Sequence, residues 1–455
     1  MRSNFLQALL LSTAVGVASA DLTAPAASPT ISLGPSQPTA TGNSSSPQML
    51  QLSQDSHFHF ELLRGLAAAP YRGSDIGELL TAAAQITPGD FDSWTVVFKK
   101  LAERVYALGK TIDGKKFPVS LRDTMFRAAT YYRSTDFFLH GNPADPRINE
   151  YWYLQAAAFD AAIATLPVPG KRVNITTKSG FYVPAIFYGA KNDGANNYAS
   201  RKPTFIIGSG YDGYQEELYH EMVKPVLDRG WNAITYEGPG QAAPRRFQNK
   251  GFILEWEKVV TPVVDYLHTL PEVDTNAIAL AGLSFGGFLA PRAAAYEHRL
   301  AALFAIDGLY DFSKIFIWGA LQPLLDASNK TGFDQGVQYL RTHTKETKLR
   351  WGIDQGLWSW NLASPYDFAK DVQRFTLNGT VQKIKVPTFV GDAEDDLFYK
   401  GQPKTLADAL GGLATRHVFK TENGEGEHCA IGAVVGLNQV TLDWFQSQVL
   451  DKKRN

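Results

Sequence analysis

The turn sequence Gly282-Leu-Ser-Phe-Gly-Gly287 is the strongest chemical pattern in the chain. It follows an apolar run at 277–281 and precedes a helical pattern at 288–297. In a Gly-x-Ser-x-Gly turn between a strand and a helix, the serine hydroxyl stands exposed above the sheet. Only small residues fit two positions on either side, because larger ones would collide with the strand and the helix. The pattern predicts that Ser284 is a nucleophile that attacks a carbonyl group.

A serine nucleophile needs a general base, and the chain contains nine histidines. In the chain order serine, acid, histidine that accompanies this type of turn, the base follows the last strand. His428 fits this order, because it lies in a Gly-rich segment between a predicted strand at 416–420 and a predicted helix at 431–448. The other histidines considered are His417 with a structural role, His57 and His59 in the core or on the surface, and His220, His268 and His298 on solvated helix faces.

Four carboxylates follow a predicted strand at 387–390, in the sequence Gly391-Asp-Ala-Glu-Asp-Asp396. The acid belongs after the penultimate strand, where it holds the histidine tautomer and stabilises the imidazolium. We assign this role to Asp396, with Asp395 as the first alternative. Asp307, at the end of a predicted strand at 303–306, is a second alternative.

The segment 208–213, Gly-Ser-Gly-Tyr-Asp-Gly, follows a predicted strand at 204–207. Its glycines let the backbone approach a ligand closely, so an oxyanion hole is predicted from the amide of Phe285 and an amide near Tyr211. The chain lacks the complete phosphate-loop pattern and any Cys/His spacing typical of zinc, so we expect no cofactor and no metal. Glu237, in the turn at 236–241, is assigned a structural role, with a place at the site as the alternative.

The elements that must position these residues alternate between apolar strands and helices after Pro167, which predicts a mostly parallel sheet covered on both faces. An α/β core is therefore expected at 166–450, with an all-helical cap module at 53–165 and a helical cap insertion at about 308–375. The predicted strands lie at 172–177, 182–188, 204–207, 233–236, 277–281, 303–306, 387–390 and 416–420, and the core helices at 215–229, 252–270, 285–298, 402–411 and 431–448. The insertion contains Trp318, Trp351, Trp358 and Trp360, for which packing is favoured over lining a site.

The first 20 residues have a positive start, an apolar stretch and a final Ala-Ser-Ala, which predicts a signal peptide cleaved after Ala20. A Ser/Thr/Pro-rich linker is predicted at 21–52. Sequons at Asn43, Asn174, Asn329 and Asn378 agree with a secreted or lumenal protein. The single cysteine, Cys429, excludes a disulfide within the chain.

The chain carries 44 Lys and Arg against 45 Asp and Glu, so a nucleic-acid partner is not expected. Hydrophobic residues make up 44% of the sequence, which is enough for a folded core. We expect no membrane span after signal cleavage, because no later apolar run is long enough.

Residues 53–448 resemble fungal α/β-hydrolases of the FrsA-like and pseudooxynicotine-hydrolase-like group, in particular the hydrolases of polyketide clusters such as the fusarin and cytochalasan pathways. The motifs that carry the resemblance are Pro88-Gly-Asp-Phe-Asp-Ser-Trp94, Gly210-Tyr-Asp-Gly213, Tyr236-Glu-Gly-Pro-Gly-Gln241, the turn at Ser284, Asp307-Gly-Leu-Tyr-Asp311, Ala393-Glu-Asp-Asp396 and Gly426-Glu-His428-Cys.

The resemblance implies an α/β-hydrolase fold with Ser284, Asp396 and His428 as a catalytic triad. It also implies a small-molecule substrate, with cleavage of an acyl or carbon–carbon bond in a ketonic compound. A cyclisation or condensation catalyst and a secreted carboxylesterase remain alternatives, and a homodimer is left open.

Overall fold

The computed structural model describes residues 49–191 and 201–454, together with the backbone of a two-residue strand, Ser32–Leu33. The predicted signal peptide at 1–20, most of the linker at 21–52 and the sequon at Asn43 lie outside the described residues. The sequons at Asn174, Asn329 and Asn378 are exposed. In the described ranges, no helix is long and apolar enough to cross a membrane.

Five helices form the N-terminal module, in agreement with the helical pattern of this region. The first three begin after Asp55, Asp75 and Asp90, whose side chains accept backbone N–H groups of the first turn. Trp94 is central, since its Nε1 donates to the Ser134 carbonyl at 2.8 Å within an aromatic core. The helices are α1 (Ser56–Ala67), α2 (Ile76–Ala83), α3 (Phe91–Lys110), α4 (Pro118–Asp136) and α5 (Arg147–Ile163).

An eight-stranded mixed sheet forms the core, with the order β8-β7-β6-β5-β3-β4-β2-β1. The strands β3 to β8 are parallel to one another, whereas β2 is antiparallel to both β1 and β4. Both faces of the central strands are buried, which explains their continuous apolar runs. The strands are β1 (Lys171–Thr176), β2 (Tyr182–Tyr188), β3 (Lys202–Gly208), β4 (Asn232–Tyr236), β5 (Val273–Leu283), β6 (Ala302–Ile306), β7 (Thr388–Ala393) and β8 (Ala414–Phe419).

Helices cover the sheet, and a second helical group interrupts the core between β6 and β7. The core helices are α6 (Lys224–Asp228), α7 (Ala242–Phe247), α8 (Glu257–Leu267), α9 (Gly286–Ala294), α14 (Gln402–Leu410), α15 (Val434–Phe445) and α16 (Asp451–Arg454). The inserted helices are α10 (Gln322–Asp326), α11 (Lys330–His343), α12 (Thr347–Trp360) and α13 (Pro365–Val372).

Two local predictions in the core are wrong. The helix predicted at 215–229 begins only at a π-helical turn, Tyr219–Val223, and continues as α6. His220 in that turn is not solvated, because its ring is buried and packs edge-on against Phe126 of the helical module at 4.8 Å. The polar residues around His220 do not reveal this contact, which exists only because a distant helix docks there.

Buried charges join the helical module to the core. Arg64 lies 2.6 Å from Glu217 and 3.2 Å from Asp212, and Arg133 lies 3.1 Å from both Glu61 and Glu217. We call these five residues the arginine network. Each arginine belongs to the helical module and contacts at least one carboxylate of the core segment 212–217. The network therefore holds the helical module against the core.

Candidate active site

Ser284 lies in a tight turn between β5 and α9 and adopts a left-handed backbone with φ of 61°. A side chain is strained in this conformation, so the surrounding structure must impose it. A Cβ added to Gly282 would lie 2.0 Å from the Gly286 carbonyl oxygen, and one added to Gly286 would lie 2.9 Å from that of Gly208. The two glycines are therefore required by close packing, as the motif predicts.

His428 follows β8 and is buried, with its ring between two carboxylates. Its Nδ1 lies 3.0 Å from Oδ2 of Asp396 and 2.9 Å from Oδ2 of Asp307. We call these three residues the imidazole cluster. The structure thus brings both the assigned acid and one alternative to the same ring nitrogen.

Asp395, the other alternative, does not contact the ring. About 47% of its side chain is exposed, and its carboxylate accepts a hydrogen bond from the Thr421 hydroxyl at 2.6 Å. Consecutive residues after β7 point in different directions, so Asp395 faces solvent while Asp396 faces inward. The geometry removes Asp395 as a partner of His428.

The two carboxylates of the imidazole cluster differ in their acidity. Burial raises the pKa of Asp396, but the charge of His428 and hydrogen bonds from His428 and the amides of Phe398 and Tyr399 lower it below its ordinary value. Burial and the charge of Asp396 raise the pKa of Asp307 to about 6. Two close carboxylates disfavour double ionisation, so of these two carboxylates Asp307 is the one protonated first as the pH falls.

The imidazole is held in one orientation. Burial alone lowers the pKa of His428, but the charge of Asp396 and hydrogen bonds to both aspartates raise it well above its ordinary value. Because Nδ1 faces carboxylates, this nitrogen carries the proton in the neutral ring, and Nε2 is left as the basic atom.

The described residues contain one group with metal-ligand geometry, formed by Asp307, His428 and Cys429, whose ligand atoms lie within 4.8 Å of one another. Burial raises the pKa of the Cys429 thiol to about 12, so it is a neutral thiol near pH 7 and a poor metal ligand. The carboxylates also occupy the Nδ1 side of the ring. The donor set therefore suits proton transfer better than metal binding.

The two predicted oxyanion donors meet beside the serine. A Cβ added to Gly210 would lie 2.5 Å from the amide nitrogen of Phe285, so the loop after β3 and the serine turn are in close contact. Phe285 and Tyr211 are buried, yet neither backbone N–H donates a hydrogen bond to any residue that the structure describes. Buried N–H groups are rarely left unpaired, and two of them beside a serine suit an anionic oxygen.

A cavity opens over these residues. Both Ser284 and His428 line it, and most of its other walls are apolar side chains from the core, the insertion and α1. One wall carries the charged side chains of Arg64, Asp212 and Glu221. The lining of the cavity also includes Tyr211, Phe316, Trp351, Phe398, Tyr399 and Cys429.

Sequence reasoning missed several of these residues. Tyr399 packs edge-on against His428 at 4.9 Å, and a side-chain hydrogen bond with Ser284 lowers its pKa, although burial has the larger, raising effect. Glu221 borders the cavity, and burial and the charge of Glu217 raise its pKa to about 7. Neither residue belongs to a local motif, so the sequence carried no signal for them.

Of the other residues singled out from the sequence, Glu237 and Trp358 contact protein groups away from the cavity. Glu237 does not line the cavity, because its carboxylate accepts the amides of Gln215 at 3.0 Å and Ala243 at 2.9 Å. Of the four tryptophans in the insertion, Trp351 borders the cavity, whereas Trp358 stacks on the ring of His140 at 4.0 Å.

A nucleophile-type serine turn after the fifth strand of this sheet, with a histidine after the last strand, defines an α/β-hydrolase fold. Solved structures agree. The 2,6-dihydroxy-pseudo-oxynicotine hydrolase superposes with a TM-score of 0.64 at 19% identity, over 84% of this chain and 95% of that one. AbyA5 superposes with a TM-score of 0.57 at 16% identity, over 82% and 93%. The predicted fold class is confirmed.

Sequence comparison identifies the family. Hydrolase acrC of Aspergillus aculeatus is 30% identical over 426 residues, which are 88% of this chain and 98% of that protein. The 20-hydroxy-prefusarin hydrolase FUS2 of Gibberella moniliformis is 28% identical over 415 residues, or 87% and 97%. No family model matches the chain. The chain belongs to the family of fungal hydrolases that includes acrC, which confirms the resemblance drawn from its motifs.

Proposed function

We propose that the protein is a serine hydrolase in which Ser284 is the nucleophile, His428 the general base and Asp396 the acid. The single observation that carries this proposal is the position of the His428 ring. Its Nδ1 lies 3.0 Å from the Asp396 carboxylate, so Nε2, which contacts Sγ of Cys429 at 3.7 Å, is the nitrogen left to act as a base. The ring borders the cavity that Ser284 also lines. A serine beside an oriented imidazole is activated in this way in many unrelated folds.

The reaction proceeds in two halves. The Ser284 oxygen attacks a substrate carbonyl carbon while its proton moves to Nε2 of His428. The amides of Phe285 and Tyr211 hold the resulting oxyanion, which collapses and expels the leaving group. The leaving group takes the proton from Nε2, and water then releases the acyl group by the same steps.

We assign the acid to Asp396 and not to Asp307, although both lie near Nδ1. Both carboxylates accept two backbone amides, Asp396 those of Phe398 and Tyr399 and Asp307 those of Ala393 and Cys429. Although burial raises it, the charge of His428 holds the pKa of Asp396 below its ordinary value, so Asp396 keeps its negative charge. An ionised partner is needed to stabilise the imidazolium that forms during the reaction. Asp307 has the higher pKa, so it serves this purpose less well.

The proposed substrate is a ketonic, polyketide-derived small molecule in which an acyl or carbon–carbon bond is cleaved. Two observations support this class. The cavity is roofed and lined by aromatic side chains such as Phe316, Trp351 and Phe398, which favours a medium-sized apolar molecule over a long peptide. The name of the relative FUS2 describes a hydrolase of 20-hydroxy-prefusarin.

A fluorophosphonate probe tests the nucleophile. We expect the native protein to be labelled at Ser284, as read by mass spectrometry of the modified peptide. Ser284→Ala should abolish labelling, whereas Ser447→Ala, which removes an exposed serine, should not change it. A folded protein that resists the probe would contradict the proposal.

Substrate assays separate the two alternatives. A general carboxylesterase would hydrolyse p-nitrophenyl butyrate rapidly, whereas an enzyme specialised for a ketonic substrate would not. A cyclisation catalyst would retain turnover of its substrate in Ser284→Ala, because His428 and the oxyanion amides suffice for proton transfer.

The secreted location is a separate proposal that rests on the first 20 residues and on the three exposed sequons. N-terminal sequencing of the native protein should begin at Asp21. A native chain that begins at Met1 would contradict cleavage.

A further inference from the structure

The oxyanion loop after β3 is held by a side chain from a different part of the chain. Gln241 is buried at the end of the turn that follows β4. Its Nε2 donates to the carbonyl oxygens of Ser209 at 2.9 Å and Gly210 at 3.2 Å. These carbonyls directly precede Tyr211, whose amide is a proposed oxyanion donor.

The carbonyl positions determine where the Tyr211 N–H points. A trans peptide is planar, and its C=O and N–H groups point in opposite directions. The described backbone contains no cis peptide. Since Gln241 holds the Gly210 carbonyl on one side, the N–H of Tyr211 in the same peptide must face the other side. There it finds no partner among the described residues.

The orientation of the Gln241 side chain is itself fixed. Its Oε1 accepts the N–H of Gly238 at 2.8 Å, so Nε2 is the end that faces the two carbonyls. An isosteric glutamate could still accept from Gly238, but it could not donate to either carbonyl and would set a negative charge against both. A carboxamide is therefore the group that this position needs.

We infer that Gln241 is a positioning residue for the oxyanion hole and sets the peptide between Gly210 and Tyr211 so that the Tyr211 amide faces the reacting carbonyl. The inference rests on the proposed function. If this peptide turned over, the Gly210 carbonyl would replace the N–H beside Phe285 and would repel an oxyanion. Gln355 of the insertion holds the next peptide, because its Nε2 donates to the Tyr211 carbonyl at 2.9 Å.

The test measures fluorophosphonate labelling of Ser284 in wild type, Gln241→Glu and Gln241→Met, with the inactivation rate constant separated from probe affinity. Gln248→Ala is the matched control, because Gln248 also pairs with a backbone N–H and a backbone carbonyl, both of Tyr182. We expect both Gln241 variants to lose about 10²–10³-fold in the inactivation rate constant, as for removal of one oxyanion donor. Probe affinity and the pH profile of labelling of the folded variants should stay close to wild type.

Each outcome decides between the proposals. Wild-type rates in a folded Gln241 variant would overturn the positioning role and leave the proposed nucleophile standing. Loss of rate through weaker probe affinity or a displaced pH profile would also overturn it, because the effect would then lie in the cavity or at His428. A wild-type protein that the probe does not label would overturn the proposed function together with this inference. If Gln241→Glu does not fold, the neutral variant Gln241→Met decides alone.

Discussion

Two clusters of buried charge border the cavity, and they are balanced in different ways. The imidazole cluster has two carboxylates around one ring nitrogen of His428. In the arginine network, two guanidinium groups face three carboxylates, and each guanidinium bridges at least two of them. In the imidazole cluster, the one proton on Nδ1 of His428 faces two carboxylates and cannot satisfy both. In the arginine network, ion pairs join the helical module to the core.

The difference shows which buried charges serve chemistry and which serve assembly. A histidine between two carboxylates has a strongly shifted pKa and a second ring nitrogen that neither carboxylate contacts, which is the arrangement that proton transfer needs. In the arginine network each carboxylate contacts at least one guanidinium, and such a network contributes mainly by fixing one geometry. Glu221 is the exception beside the arginine network, because its carboxyl borders the cavity and its pKa is raised to about 7.

The largest effect is expected from a substitution that breaks the imidazole cluster. We expect Asp396→Asn to lower the fluorophosphonate labelling rate by about 10⁴-fold, because the neutral amide cannot stabilise the imidazolium and permits the wrong tautomer. The rate is measured across pH. Since Asp396 raises the pKa of His428, the rate of the wild type should rise with pH as His428 loses its proton, and Asp396→Asn should move this rise to lower pH.

Asp307→Asn is the matched control for this prediction, because Asp307 lies equally close to Nδ1. We expect it to lose much less activity, since Asp396 still orients the ring. If Asp396→Asn labels near the wild-type rate while Asp307→Asn abolishes labelling, the two roles must be exchanged.

A smaller effect is expected from breaking the arginine network. Arg133→Met leaves Glu61 and Glu217 with fewer cationic partners in a buried place, so the free energy of unfolding should fall by about 3–5 kcal/mol. Urea denaturation measures this change. Lys404→Met is the control, because it breaks an exposed pair with Asp408 and should have little effect. Equal losses in the two variants would show that burial does not distinguish these pairs.

The smallest effect is expected at Glu221. Its raised pKa means that ionisation opposes folding as the pH rises from about 4.5 through about 7. Glu221→Gln removes this cost, so it should stabilise the protein by roughly 3 kcal/mol at pH 8.5 and by much less at pH 5. Urea denaturation at the two pH values checks the sign. The exposed control Glu422→Gln should show no such pH dependence. A Glu221 variant that is less stable at pH 8.5 would indicate an ionised carboxylate with a partner.

Local patterns were sufficient for the parts of the molecule that depend on neighbours in the chain. The strand patterns located all eight strands of the sheet. The central ones are continuous apolar runs, because a strand buried on both faces must be apolar throughout. The spacing of glycines around Ser284 predicted the turn, since a Cβ at Gly282 would collide with the Gly286 carbonyl oxygen within the same turn. The histidine after the last strand followed from chain order alone.

The sequence by itself determined the fold class, the serine turn and the identity of His428 as the candidate base. The tertiary structure alone decided that Asp307 joins Asp396 at Nδ1, that Asp395 faces away, and that Glu221 and Tyr399 border the cavity. It also showed that Gln241 holds the loop of a distant strand. These contacts join residues far apart in the chain, so their distances depend on how the helices and the insertion dock on the sheet, and no local pattern records that.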